Sequence, residues 1–188
     1  GIGIITMLSL VQRQFEDKFE KNIEGIDMVM GASGSPLQLI LSAVYHIDAP
    51  TGNIPLEEAE KWMQHPYIAK AVPMAYGDSY MSFPMIGSDS CYYQHFSADL
   101  TSGKLNEENY EVVVGSEVVN KLKLKLGDKF HSTHGQQEGG EEHEDIEWVV
   151  TGILKPTGKV IDRMIISNIE SVWDIHGEGG CTHDHEES

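Results

Sequence analysis

The feature that most constrains this chain is its opening. Gly1-Ile2-Gly3-Ile4-Ile5-Thr6-Met7-Leu8-Ser9-Leu10-Val11 is apolar and supplies roughly half of the ~20 residues that cross a bilayer. It then passes without a break into an amphipathic pattern. Leu8, Val11, Phe15, Phe19, Ile23 and Ile26 recur every three or four residues, with Gln12, Arg13, Glu16, Asp17, Lys18, Glu20 and Lys21 between them. Gly25 stands where a helix C-cap is expected. On composition alone this is either the start of a buried helix or the last turns of a membrane helix that continues into water as a stalk. No basic stretch precedes it, so it makes a poor signal peptide.

Charge narrows the choice of partners. Thirty acids against thirteen bases give a formal charge of -17. That sign opposes phosphate backbones, where Lys and Arg must displace counterions, and it opposes anionic lipid surfaces. Nucleic-acid binding is not expected on this ground, whereas cationic partners and metal ions remain compatible. With 40% apolar residues, the 188-residue chain can build one or two packed cores. Two cysteines, Cys91 and Cys181, are too few for a disulfide framework, and spacing does not settle whether they pair.

Beyond the opening, periodicity and turn chemistry predict short elements. Strands are expected at 26–30, 68–76, 80–87, 111–115, 129–132, 148–154 and 160–167. The second and third of these flank a turn at Gly77-Asp78. Helices are expected from Pro55 to Met63, over 89–96, from Glu117 to about Leu122 after an N-cap at Ser116, and from Asn168 to Trp173. Leu37 to Tyr45 is a largely apolar stretch and fits helix or strand. Loops are expected at 101–109 and 134–145, and residues 177–188 read as a disordered tail. The fold class is α+β, organised as an N-terminal helix (1–25), an outer sheet subdomain in two segments (26–88 and 146–176), and a smaller inserted subdomain (89–145).

Several segments, in this order, resemble the periplasmic core of FtsX/MacB-like permeases, the type VII or mechanotransmission ABC permeases. They are Gly25 to Leu39, His46 to Pro55, Glu111-Val112-Val113-Val114-Gly115-Ser116-Glu117-Val118-Val119, Trp148-Val149-Val150-Thr151-Gly152-Ile153-Leu154-Lys155-Pro156-Thr157-Gly158, Asp162-Arg163-Met164-Ile165-Ile166 and Ser171-Val172-Trp173. The resemblance runs along nearly the whole chain in the family's order. The resemblance implies a mixed sheet with an inserted smaller α/β subdomain, carried by a stalk helix on the periplasmic or extracellular side of the membrane. It also implies a cytoplasmic ABC ATPase and a second permease subunit as partners, an extracytoplasmic substrate or partner protein, and no catalysis in this part. Lys123 departs from the pattern, because many relatives end the preceding helix on Gly there.

The residues themselves offer one further chemistry. His134 and His143 flank or lie in the acidic loop, and His176, Cys181, His183 and His185 crowd the C-terminal end. Imidazole and thiolate are ligands that zinc and other transition metals accept. A metal-binding periplasmic module is therefore the alternative reading, against a loop that is simply solvated. No cofactor is otherwise required. Nucleophile-elbow, His-Glu-x-x-His and P-loop patterns are missing, so the chain is not expected to be an enzyme. His46 is expected to be a core histidine, and Gly31 to Pro36 a turn.

Overall fold

The computed structural model describes residues 2–47, 49–134 and 146–177. They form six α-helices and eight strands among the described residues, an α+β arrangement built on a mixed sheet, as predicted. The chain divides into two units: Gly1–Ala69 with Thr157–Ile161, and Lys70–Pro156 with Asp162–Ser188.

The first unit is helical. It holds α1 (Ile2–Ile23), α2 (Pro36–Ala43) and α3 (Leu56–Met63). Helix α1 ends where Gly25, at φ +78°, turns the chain out of the helix, and the Ile26 amide closes onto the Ile23 carbonyl at 3.1 Å. The strand expected at 26–30 does not form. The segment pairs with no strand, so its backbone has no ladder to join. The apolar run that follows is helix α2. Ser35 caps it through a bond from the Gln38 amide, and Pro36 fits the first turn, where no amide is needed. Its far end closes with the Ile47 amide on the Leu41 carbonyl (3.1 Å) and the His46 amide on the Ser42 carbonyl (3.2 Å). This pair of bonds puts His46, at φ +50°, in the left-handed position that glycine usually takes.

The second unit is the sheet. Its strands are β1 (Met74–Tyr80), β2 (Phe83–Ser88), β3 (Leu100–Gly103), β4 (Glu111–Val114), β5 (Lys129–Phe130), β6 (Thr133–His134), β7 (Trp148–Leu154) and β8 (Ile165–Ser167). The order across the sheet is β3-β7-β4-β8-β2-β1-β6, and β5 also pairs with β7. Parallel pairs β4–β7 and β2–β8 alternate with the antiparallel pair β4–β8. Val112, Val113, Val114, Ile165 and Ile166 are all fully buried. Continuous β-branched runs of this kind belong to strands covered on both faces. Helices α4 (Ser90–His95), α5 (Ser116–Leu122) and α6 (Ile169–Gly177) complete the unit. Helix α6 lies so close on β2 that a Cβ added at Gly87 would meet Val172 Cγ2 at 2.7 Å and the Ile169 Cα at 2.9 Å.

Three expectations shift here. The hairpin turn is Met81-Ser82, both at positive φ, and not Gly77-Asp78. Gly77 and Asp78 instead form an irregularity inside β1, between the pairs at Tyr76 and Ser79, and Asp78 is buried there. The strand expected at 160–167 is a 3-10 turn (Val160–Arg163) followed by β8, because Ile161, Asp162, Met164, Ile165 and Ile166 are all buried and no alternation exists to support one long strand. The loop expected at 101–109 contributes Thr101 to Gly103 to β3 at the sheet edge. Lys123 ends α5 in a left-handed conformation (φ +58°, ψ +29°), so the helix stops where a glycine would stop it.

Candidate functional site at the base of α1

Helix α1 has 22 residues, a rod of about 33 Å at 1.5 Å per residue. None of its side chains is buried. Ile2, Ile4, Ile5, Met7, Leu8 and Leu10 stand exposed around its first turns, although each would gain about 1.5–3 kcal/mol from full burial. Among the described residues no helix is long and apolar enough to cross a membrane.

The other end of the rod is fastened within its own unit. The Phe15 and Phe19 rings stack at 6.4 Å, one turn apart, and the Tyr45 ring meets Phe19 at 4.7 Å. The Tyr45 hydroxyl also points at the Phe19 carbonyl (3.5 Å), and partial burial raises its pKa above the usual phenol value. The firmest tie is Asn22. Its Oδ1 accepts the Val160 amide at 2.8 Å, and its Nδ2 donates to the Lys18 carbonyl at 2.9 Å. One side chain thus joins the last turn of α1 to a segment 138 residues further along the chain. Asn22 was not singled out in the sequence, but a signal was present: it lies three residues after Phe19, an amide in the middle of an apolar stripe.

The segments below α1 are cross-tied in turn. Thr51 Oγ1 donates to the Ala32 carbonyl at 2.9 Å, Gln38 Nε2 to the Ala49 carbonyl at 3.4 Å, and the buried Ser42 hydroxyl to the Leu39 carbonyl at 3.1 Å. His46 is buried, and loss of water lowers its pKa to about 4, so the ring is neutral at pH 7. It is a core histidine, as expected. The glycine segment before Pro36 carries the cap of α2 and the Thr51 tie, the work of a turn.

Of the metal-ligand candidates, His134 lies on β6 opposite Asp78 of β1, and His176 lies near the end of α6, which packs on β1 and β2. The fold thus brings the two carrying elements to the same strand. His143, Cys181, His183 and His185 fall outside the described residues. Among the described residues no three His, Cys, Asp or Glu side chains are grouped to hold a metal ion. His131 Nδ1 is engaged by the Ile146 carbonyl at 2.8 Å.

Buried polar groups of the sheet unit bond one another. Ser132 donates to Asp78, and Trp148 Nε1 donates to Ser132 Oγ at 3.0 Å. The void beside them, lined by Asp78, Met85, Trp148, Ser167, Val172 and Ile175, has a volume of about 10 Å³. That is room for about one water and not for a substrate.

No family model matches the chain, and no curated protein matches it. Among solved structures, the chain is similar to the periplasmic region of MacB from Actinobacillus actinomycetemcomitans, with a TM-score of 0.51, 17% identity, and coverage of 81% of this chain and 71% of that one. It is also similar to the extracellular domain of the noncanonic ABC-type transporter YknZ from Gram-positive bacteria, with a TM-score of 0.46, 16% identity, and coverage of 66% and 67%. The fold is that of the MacB periplasmic region. At this identity the likeness speaks for fold alone.

Proposed function

We propose that this chain is the extracytoplasmic part of an ABC-transporter permease, with no catalytic role of its own. Helix α1 continues a membrane helix. Motion driven by a partner ATPase travels along it and enters the first unit through Asn22, Phe19 and Tyr45. A second permease subunit and an extracytoplasmic substrate or partner protein complete the machine. The observation that carries this reading is α1 itself, bare and apolar at one end and fastened at the other by the Asn22–Val160 bond. The MacB-like fold supports it, since that structure is a periplasmic region.

The test uses the full-length protein in nanodiscs with its ATPase and a fluorophore at the exposed Thr101. ATP should change the label's signal. Lys18→Pro breaks the rod, at a cost of about 3 kcal/mol to the helix, and should abolish the change while ATP turnover persists. A signal that ignores ATP in the wild type, or a Lys18→Pro protein that still responds fully, overturns the reading.

A further inference from the structure

Helix α3 is amphipathic, yet its apolar side is exposed. At about 100° per residue, Leu56, Ala59, Trp62 and Met63 share one arc of the helix. Glu58 and Glu60 border that arc, one on each side, with Glu57 and Lys61 behind. None of the eight residues is buried, and Leu56 and Trp62 are 48% and 40% exposed. Eight residues are too few to hold a helix in water unaided, because the nucleation cost is not repaid over two turns. Packing of the apolar face normally supplies the difference, and here that face is open.

The chain just beyond extends the surface. The His65 ring lies between Trp62 (5.6 Å) and Tyr67 (5.4 Å), and the Tyr67 amide donates to His65 Nδ1 at 3.3 Å. Backbone bonds from His65 to the Trp62 carbonyl (3.0 Å) and from Ile68 to the His65 carbonyl (2.9 Å) fix the turn around Pro66. Tyr67 is 93% exposed. An aromatic ledge is thus arranged in advance, so little entropy remains to be lost when something covers it.

We propose that α3 and this ledge are a docking site for a segment of a partner protein that carries apolar anchors flanked by Lys or Arg. Trp and Tyr on a fixed turn are the side chains that most often dominate protein–protein binding energy. Charge selects the occupant. Two glutamates, Glu58 and Glu60, edge the strip, and Glu57 outside it is offset by Lys61, so an anionic lipid surface is repelled. A cationic side chain instead meets carboxylates at the rim and aromatic faces beside them. The inference concerns α3 alone and stands whether or not ATPase motion passes along α1.

The test measures fluorescence anisotropy with the full-length protein. The probes are a labelled amphipathic peptide of leucine and lysine at helical spacing, the same peptide with Glu for Lys, and vesicles of phosphatidylcholine and phosphatidylglycerol. The lysine peptide should bind and the glutamate peptide should not. Trp62→Ala with Tyr67→Ala, which leaves charge unchanged, should weaken binding at least about tenfold. Trp62→Phe with Tyr67→Phe should keep most of it. Changing Glu57, Glu58 and Glu60 to Gln should raise Kd and flatten its salt dependence. Equal affinity for the alanine variant, no binding of the lysine peptide, or capture of the vesicles through α3 would each overturn the proposal.

Discussion

The two units place their apolar side chains in opposite ways. Among the described residues of the sheet unit, Phe83, Ile86, Val112, Val113, Val114, Trp148, Leu154 and Ile166 are buried, and only Met81, Leu126 and Trp173 are large apolar side chains that stand exposed. In the helical unit, Val44 and Ile161 are the buried apolar residues, while α1, α2 and α3 between them expose Ile2, Leu8, Phe15, Leu37, Ile40, Leu56, Trp62 and others. The same kind of residue holds the sheet unit together and leaves the helical unit open to other molecules. One unit is stabilised chiefly by its own core. The other relies on caps and side-chain-to-backbone bonds.

The largest expected effect tests the sheet side of this contrast. Trp148→Ala removes a fully buried ring and the donor to Ser132, and should cost about 3–5 kcal/mol in urea unfolding. Leu37→Ala, on the exposed face of α2, should change stability by less than about 0.5 kcal/mol. Equal losses would erase the contrast.

The second effect belongs to the helical unit. His46 titrates at about 4 when folded and at 6.5 when not, so folding favours its neutral form. Its contribution is full above the unfolded value and is lost as pH falls from about 6.5 to 4, where the unfolded chain gains a proton that the folded one refuses. The loss is about 3 kcal/mol. His46→Asn suits the left-handed backbone and should remove that part of the slope when unfolding is followed against pH.

Two smaller effects sharpen the picture. Asn22→Ala leaves the Val160 amide without its acceptor and should cost about 1–2 kcal/mol. The loss should be read as faster amide exchange at Val160, with exchange in β4 unchanged. Lys123→Gly relieves a left-handed residue at the end of α5 and should stabilise the sheet unit by about 0.5–1 kcal/mol in thermal melts.

How much of this was legible depended on whether the signal was local. The period of α1, the Gly25 stop, the Pro55 start of α3 and the apolar run of β7 all depend on neighbouring residues, and the structure keeps them. The Gly77-Asp78 signal was equally strong but served a different purpose, because β1 spends those residues on a bulge that buries Asp78 against Ser132, 54 residues away. Positive φ at Met81 and Ser82 carries no composition cue, since neither is the Gly, Asn or Asp that such a hairpin position favours. At the candidate site, Phe19 and the helix end were visible in the pattern. Asn22 needed Val160 to give it meaning, and a partner that remote leaves no periodic trace.

The Asn22–Val160 bond has a consequence for synthesis. Every residue from Lys70 to Pro156 is translated after α1 and before Val160, so the N-terminal rod emerges long before its latch exists. The first unit is completed only when the intervening chain has left the ribosome, and a contact closed across such a separation forms late in folding. A chain truncated before Thr157 would keep the Phe19–Tyr45 contact but lack the Asn22 latch, and its rod would be held at one point in place of two.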